Sequence, residues 1–165
     1  MARAGFYAVE SGKISFRRDG NWYSDEDRID NARIALLFSR SIKRNPDGSY
    51  FLQVGDERAS ITVEDTPYVV KSIDGSPQLG FVIKLNDDET EPLDPSTLEI
   101  GSDNVLYCQA RNKTFRARFL RPAYYELSRY FEPDRTGGFS ISVGGKRYQI
   151  GGTRNSAAAS ERPAT

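Results

Sequence analysis

Apolar and polar positions alternate with a period of two along most of this 165-residue chain, and the alternation gives way twice to a helical stripe. In "KISF", Ile14 and Phe16 share a face before Asp19-Gly20 turns the chain. Trp22 and Tyr23 follow as consecutive strand residues, so they leave opposite faces. A helix is predicted next. Asp30 or Asn31 can cap it, and Ile34, Leu37, Phe38 and Ile42 make its apolar stripe, with Arg33, Arg40, Lys43 and Arg44 mainly off it. Asn45-Pro46-Asp47-Gly48 ends that helix and turns the chain. "SYFLQV" and "ASITVED" then read as a second hairpin, in which Ile61 and Val63 can meet Tyr50, Leu52 and Val54. A third hairpin joins "PYVVKSI" to "LGFVIKL" over residues 74–77. The acidic stretch "NDDETEPLDPSTLE" reads as a solvated connecting loop, because it lacks the glycine and ligand spacing of a calcium loop. "VLYCQA" and "TFRARF" make a fourth hairpin. A helix opens on Pro122 with Ala123, Leu127, Tyr130 and Phe131 on its apolar face, and closes at Pro133 and Gly137-Gly138. "FSISV" and "RYQI" form the last hairpin, turning on Gly144-Gly145, and the tail "TRNSAAASERPAT" reads as disordered.

Both halves therefore read hairpin, helix, hairpin. Sliding residues 38–61 onto residues 127–150 without a gap sets Ser39-Arg40 on Ser128-Arg129, Gly48 on Gly137, Val54-Gly55 on Val143-Gly144, Arg58 on Arg147 and Ile61 on Ile150. The expected fold is α+β, built from two repeated hairpin-helix-hairpin units that form curved, half-barrel-like antiparallel sheets. The expected organisation is an N-terminal extension (1–12), a first unit (13–66), a connecting hairpin and acidic loop (67–104), a second unit (105–151) and the tail (152–165). A seam between two such units is a natural place for a ligand, since it is concave and lined from two directions.

Composition narrows the chemistry. Twenty-three basic and 23 acidic residues cancel, which argues against a dedicated nucleic-acid binder. A single cysteine, Cys108, cannot close an internal disulfide, and no apolar run is long enough for a signal peptide or a membrane span, so a cytoplasmic protein is expected. The chain has no histidine. That removes Ser–His and Cys–His nucleophile pairs and the commonest metal ligand, and no metal or cofactor is expected.

"RDGNWY", "ALLFSR", "ITVEDTPYV" and "RPAYYEL" stand in one order. Together they resemble an uncharacterised bacterial family, domain-of-unknown-function family twelve-eighty-five, over nearly all of residues 14–150. That family has an Arg-Asp-Gly-x-Trp turn, a Leu-Phe helix core, a Val-Glu-Asp-Ala-Pro-Phe strand end and a Pro-x-Phe-Tyr-Glu-Leu helix start. Here Thr66 replaces the Ala and Tyr68 the Phe, and Val54-Gly55 stand where the family tends to have Thr-Pro. The resemblance implies a duplicated α+β fold whose C-terminal half is pleckstrin-homology-like. It also implies a pocket between the halves, a nucleotide-like ligand and a signalling role.

Eight residues are candidate contacts. Trp22 reads as a partly buried indole at the seam, with a plain core position as the alternative. Glu64 and Asp65 match the family's strand end, although an Asp before Thr-Pro also caps a turn. Arg58, beside Glu57, matches the family's acidic-basic pair. Tyr125 shares a polar helix face with Arg129 and Glu132, and Glu126 adds a carboxylate beside it. In "RNKTFRARFLR", Arg116 and Arg118 leave the non-core face of a strand together, with Arg121 at the helix junction. They suit phosphate or carboxylate, which arginine binds through two parallel hydrogen bonds. The leading expectation is a non-enzymatic ligand-binding or regulatory module with a small anionic or nucleotide-like ligand at the seam. The alternatives are an enzyme using Glu64, Asp65 or Glu126, and a protein–protein adaptor working through an exposed sheet edge.

Overall fold

The computed structural model describes residues 13–152, so the N-terminal extension and nearly all of the expected disordered tail lie outside the described residues. The described chain divides into two units, one reaching Val69 and taking in Asn86–Asp88, the other holding Val70–Leu85 and the chain from Glu89 onward.

In the first unit, Ile14–Phe16 (β1) pairs antiparallel with Trp22–Ser24 (β2), which pairs with Asp27–Arg28 (β3). Helix Ala32–Arg40 (α1) follows. The Asn31 side chain caps it by accepting from the backbone N–H groups of Arg33 and Ile34, two donors with no partner inside the helix. Strands Ile42–Arg44 (β4), Tyr50–Val54 (β5) and Glu57–Val63 (β6) complete a six-stranded sheet in the order β3-β2-β1-β6-β5-β4. The sheet is open, with β3 and β4 at its edges, and it is mixed rather than wholly antiparallel. β6 returns beside β1 and runs parallel to it, pairing Ile14 with Ile61 and Ser15 with Thr62. A parallel pair needs a long crossover, which β2, β3, α1, β4 and β5 together supply.

The helix ends a turn earlier than its apolar stripe suggests. The Ser41 hydroxyl donates back to the Leu37 carbonyl, and Ile42 starts an edge strand against Leu52. Ile42 thus continues the helical period and also fits the inward face of a strand. Inside lie Ile14, Phe16, Trp22, Phe38 and Leu52, all buried. The Trp22 indole sits 4.8 Å from the Phe16 ring centroid and 5.5 Å from that of Phe38, edge-on to the latter.

Tyr68–Ser76 (β7) enters the second unit at Val70, and the unit continues with Gly80–Leu85 (β8), Thr90–Pro92 (β9), Glu99–Ile100 (β10), Leu106–Ala110 (β11), Phe115–Phe119 (β12), helix Arg121–Ser128 (α2), Phe131–Pro133 (β13), Phe139–Val143 (β14) and Lys146–Ile150 (β15). Its strands form one sheet in the order β10-β11-β12-β7-β8-β9 and another in the order β13-β14-β15. A parallel bridge from Glu99 to Gly151, with hydrogen bonds of 2.7 and 3.0 Å, joins β10 to the end of β15. The order β13-β14-β15-β10-β11-β12 therefore reproduces β4-β5-β6-β1-β2-β3.

The repeat extends to the register. Ile42↔Leu52 and Tyr50↔Ile61 in the first unit become Phe131↔Ile141 and Phe139↔Ile150 in the second, at the offset that carries Phe38 onto Leu127. The repeated glycines explain why the echo is visible. Gly48 and Gly137 have φ of +92° and +84°, and Gly55 and Gly144 have +60° and +61°, a region that side chains with a Cβ avoid. The strand equivalent to β1 is β10, so the repeat begins in the acidic stretch rather than at the β11–β12 hairpin.

That stretch is not a solvated loop. It holds β9, β10 and a one-turn 3-10 helix, Pro95–Thr97, capped by Asp94. At its start, Asn86 and Asp87 are buried in the first unit.

Candidate functional site

Across the outer face of the first sheet, paired residues stand in a row: Arg28 opposite Tyr23, Tyr23 opposite Ser15, and Ser15 beside Thr62. The inward neighbours are core, so these side chains face solvent. The Arg17 guanidinium lies 3.9 Å over the Tyr23 ring and donates to Glu26 Oε2 at 2.9 Å and to the Asp25 carbonyl at 3.2 Å. A groove of about 440 Å³ opens here, floored by Ser15 and Thr62 and flanked by Lys13, Arg17, Asp25, Glu26 and Glu64.

The charges around the groove are held to different degrees. Glu64 accepts from the Arg18 backbone N–H at 2.8 Å and from its guanidinium at 3.4 Å. The backbone hydrogen bond, with the Arg18 charge, lowers the Glu64 pKa. Burial pushes the Asp19 carboxyl up, but the hydrogen bond from the Tyr23 hydroxyl at 2.6 Å and those from Asn21 outweigh it and leave its pKa lowered. Tyr23 is raised, first by that same hydrogen bond, which favours the protonated phenol. Glu26, by contrast, is 87% exposed.

The second unit carries an equivalent row, Arg118 opposite Tyr107 and Tyr107 opposite Glu99, with Glu99 beside Gly151. A guanidinium again covers the tyrosine, that of Arg116 at 3.6 Å from the ring centroid. Its carboxylate partner, Glu99, stands where the first unit has Ser15. Gly101 makes room for this stack: a Cβ there would meet Tyr107 Cε2 at 2.9 Å, inside van der Waals contact, and would lie 3.8 Å from the Arg116 guanidinium. Gly101→Ala is expected to cost about 1–3 kcal/mol, as overpacking does. The loss should show as a lower midpoint in urea unfolding; an unchanged midpoint would mean the ring yields freely.

The sequence candidates fall in several settings. Trp22 is 1% exposed and donates from Nε1 to Ser39 Oγ at 2.9 Å, so it is a core residue and offers no stacking platform. Arg58 lies 3.9 Å over the Phe51 ring, and its repeat partner Arg147 donates to Ser140 at the position equivalent to Phe51. The repeated arginine thus covers a diagonal neighbour across its hairpin. Glu64 borders the groove, and Asp65 follows it at the end of β6. Arg116 is not an open cation, because Glu99 and Tyr107 engage it. Arg118 is half-buried on the same face, opposite Tyr107. Tyr125 is 62% exposed on α2, and Glu126 accepts from Arg129 at 3.1 Å, one turn along the helix. Sequence reasoning missed Ser15, Arg17 and Thr62. The signal available was the alternation through β1, which puts Ser15 and Arg17 on the face opposite Ile14 and Phe16.

Residues 8–66 match the family model described as the N-terminal domain of DUF1285, a domain of unknown function. That match makes the first part of the chain similar to the DUF1285 family and supports a distant relationship to it. Two solved DUF1285 family proteins share its fold. One, from Silicibacter pomeroyi DSS-3, superposes with a TM-score of 0.68 at 18% identity, covering 88% of this chain and 82% of its own. The other, from Shewanella baltica OS155, has a TM-score of 0.58 at 19% identity, covering 74% of this chain and 95% of its own. At such identities the DUF1285 likeness establishes the fold and leaves ligands aside. No curated protein matches the chain. Among the described residues no helix is long and apolar enough to cross a membrane.

Proposed function

We propose that the protein is a non-enzymatic, cytoplasmic binding module of regulatory type that holds a small molecule by an anionic group at Arg17, in the groove of its first sheet. One observation carries this reading. The Arg17 guanidinium is fixed over Tyr23 at the groove wall, yet its carboxylate partner is the exposed Glu26. A surface ion pair is worth about 0–1 kcal/mol, so an incoming anion can displace Glu26 at little cost. The binding role is favoured over catalysis by the state of the reactive groups. Glu64 is tied to Arg18 with a lowered pKa, which suits neither a general acid nor a general base at neutral pH. The Cys108 thiol is buried, and desolvation pushes its pKa up to about 12, far from a nucleophile's range.

Thermal unfolding with inorganic phosphate, nucleoside monophosphates, small carboxylates and α-amino acids, each carrying an anionic group, tests the reading. At a hundredfold excess over Kd, a ligand stabilises the native state by about 2.7 kcal/mol. At least one of these ligands should raise the Tm of the native protein and leave that of Arg17→Gln unmoved. No shift with any of them, or equal shifts in both proteins, would overturn the reading.

A further inference from the structure

The two rows differ at two positions, and one of them decides the ligand's chemistry. In the second unit the stacked guanidinium of Arg116 meets a carboxylate from within its own sheet, Glu99, next to Tyr107. In the first unit the equivalent position is Ser15, its β-partner is Thr62 where the second unit has Gly151, and the groove lies open above them. The second unit thus carries, covalently attached, a carboxylate at the row position where the first unit has only the Ser15 hydroxyl.

We infer that the groove binds a zwitterionic α-amino acid, whose carboxylate takes the place over Ser15 that Glu99 takes beside Tyr107. This rests on the binding reading above and names the ligand class for the same site. The carboxylate receives the Arg17 guanidinium, which is held flat against Tyr23 and so keeps its fork oriented. The Ser15 and Thr62 hydroxyls are donors at the groove floor for the remaining lone pairs. Displaced from Arg17, Glu26 becomes an acceptor for the ligand's ammonium group, in a rim that also carries Asp25 and Glu64. Arg18 neutralises Glu64, and Asp25 and Glu26 balance Lys13 and Arg17, so the surroundings offer no surplus positive charge to a multiply charged anion such as a nucleotide and favour a ligand with one charge of each sign. No bond is made or broken in this binding.

The test is calorimetric titration of the full chain with each of the common L-amino acids, with acetate as a carboxylate lacking the ammonium, and with inorganic phosphate and AMP. The native protein should bind at least one amino acid at least tenfold more tightly than acetate. Ser15→Glu installs the carboxylate that the second unit already carries in this row and should abolish binding while Tm stays within a few degrees. Arg17→Gln should abolish it by removing the fork instead. Binding of phosphate or AMP through Arg17 with none to any amino acid would overturn the zwitterion inference and leave the anion-binding reading standing. Binding of nothing would overturn both. Amino-acid binding that survives Ser15→Glu and Arg17→Gln would place the ligand elsewhere and overturn the inference.

Discussion

Phe38→Ala should destabilise the protein by about 3–5 kcal/mol, the cost of deleting a fully buried phenyl and leaving its cavity. Phe38 is 0% exposed and supplies the ring against which Trp22 stands edge-on. It lies on α1, while Trp22 lies on β2, so the contact ties helix to sheet within one unit. Its repeat partner, Leu127, is equally buried on α2. Equilibrium unfolding in urea measures the effect as a lower midpoint at similar slope. A loss below about 1 kcal/mol would show that the cavity collapses and that the helix is anchored by other residues.

Ser39→Ala should cost nearly as much, about 2–4 kcal/mol, although it removes a single oxygen. The buried Ser39 hydroxyl accepts from Trp22 Nε1 at 2.9 Å and from Asn86 Nδ2 at 3.0 Å, and Asn86 Oδ1 in turn accepts from the Val69 N–H at 3.0 Å. Alanine would strand two buried donors, each at about 1–3 kcal/mol. The repeat offers its own control. Ser128, at the equivalent place on α2, only donates back to the Tyr125 carbonyl near solvent, so Ser128→Ala should stay within about 0.5 kcal/mol. Equal losses in the two variants, measured by the same titration, would refute the network as the source.

Elements whose signals are local were readable in the sequence. Asn31 marks the start of α1, and the positive-φ glycines at 48, 55, 137 and 144 mark turns that recur at one offset. The inward placement of Ile14 and Phe16 follows from strand alternation alone. The helix ends were misread because Ile42 and Phe131 satisfy a helical stripe and a short strand equally well. Nothing near β1 announces that its parallel partner is β6, since that pairing joins residues far apart in the chain. Asn86 and Asp87 looked solvated because their partners are distant: Ser39 receives the Asn86 amide, and Arg40 donates to the Asp87 carbonyl. At the candidate site, the alternation in "TFRARF" places Arg116 and Arg118 on the expected face. The acid that neutralises Arg116 stands in a different strand and had no sequence mark. Glu64 was marked by the family motif, whereas the alternation through β1 marked Ser15 and Arg17 only as outward-facing, and it took β2 and β6 on either side to make that face a groove.

The parallel pairing of β1 with β6 sets a schedule for assembly on the ribosome. The strand that emerges first in this unit finds one of its two neighbours, β2, within a few residues, but the other is its last strand to be made. Until residue 63 has left the exit tunnel, β1 has an unpaired edge next to the apolar side chains of Ile14 and Phe16. The nascent unit therefore cannot complete its sheet strand by strand, and the closing pair joins residues far apart in the chain, the kind of contact that forms slowly. The bridge between β10 and the end of β15 imposes the same delay on the second unit, up to Gly151. A nascent chain stalled short of either closing strand presents a sticky sheet edge, the surface that chaperones shield and that aggregation exploits.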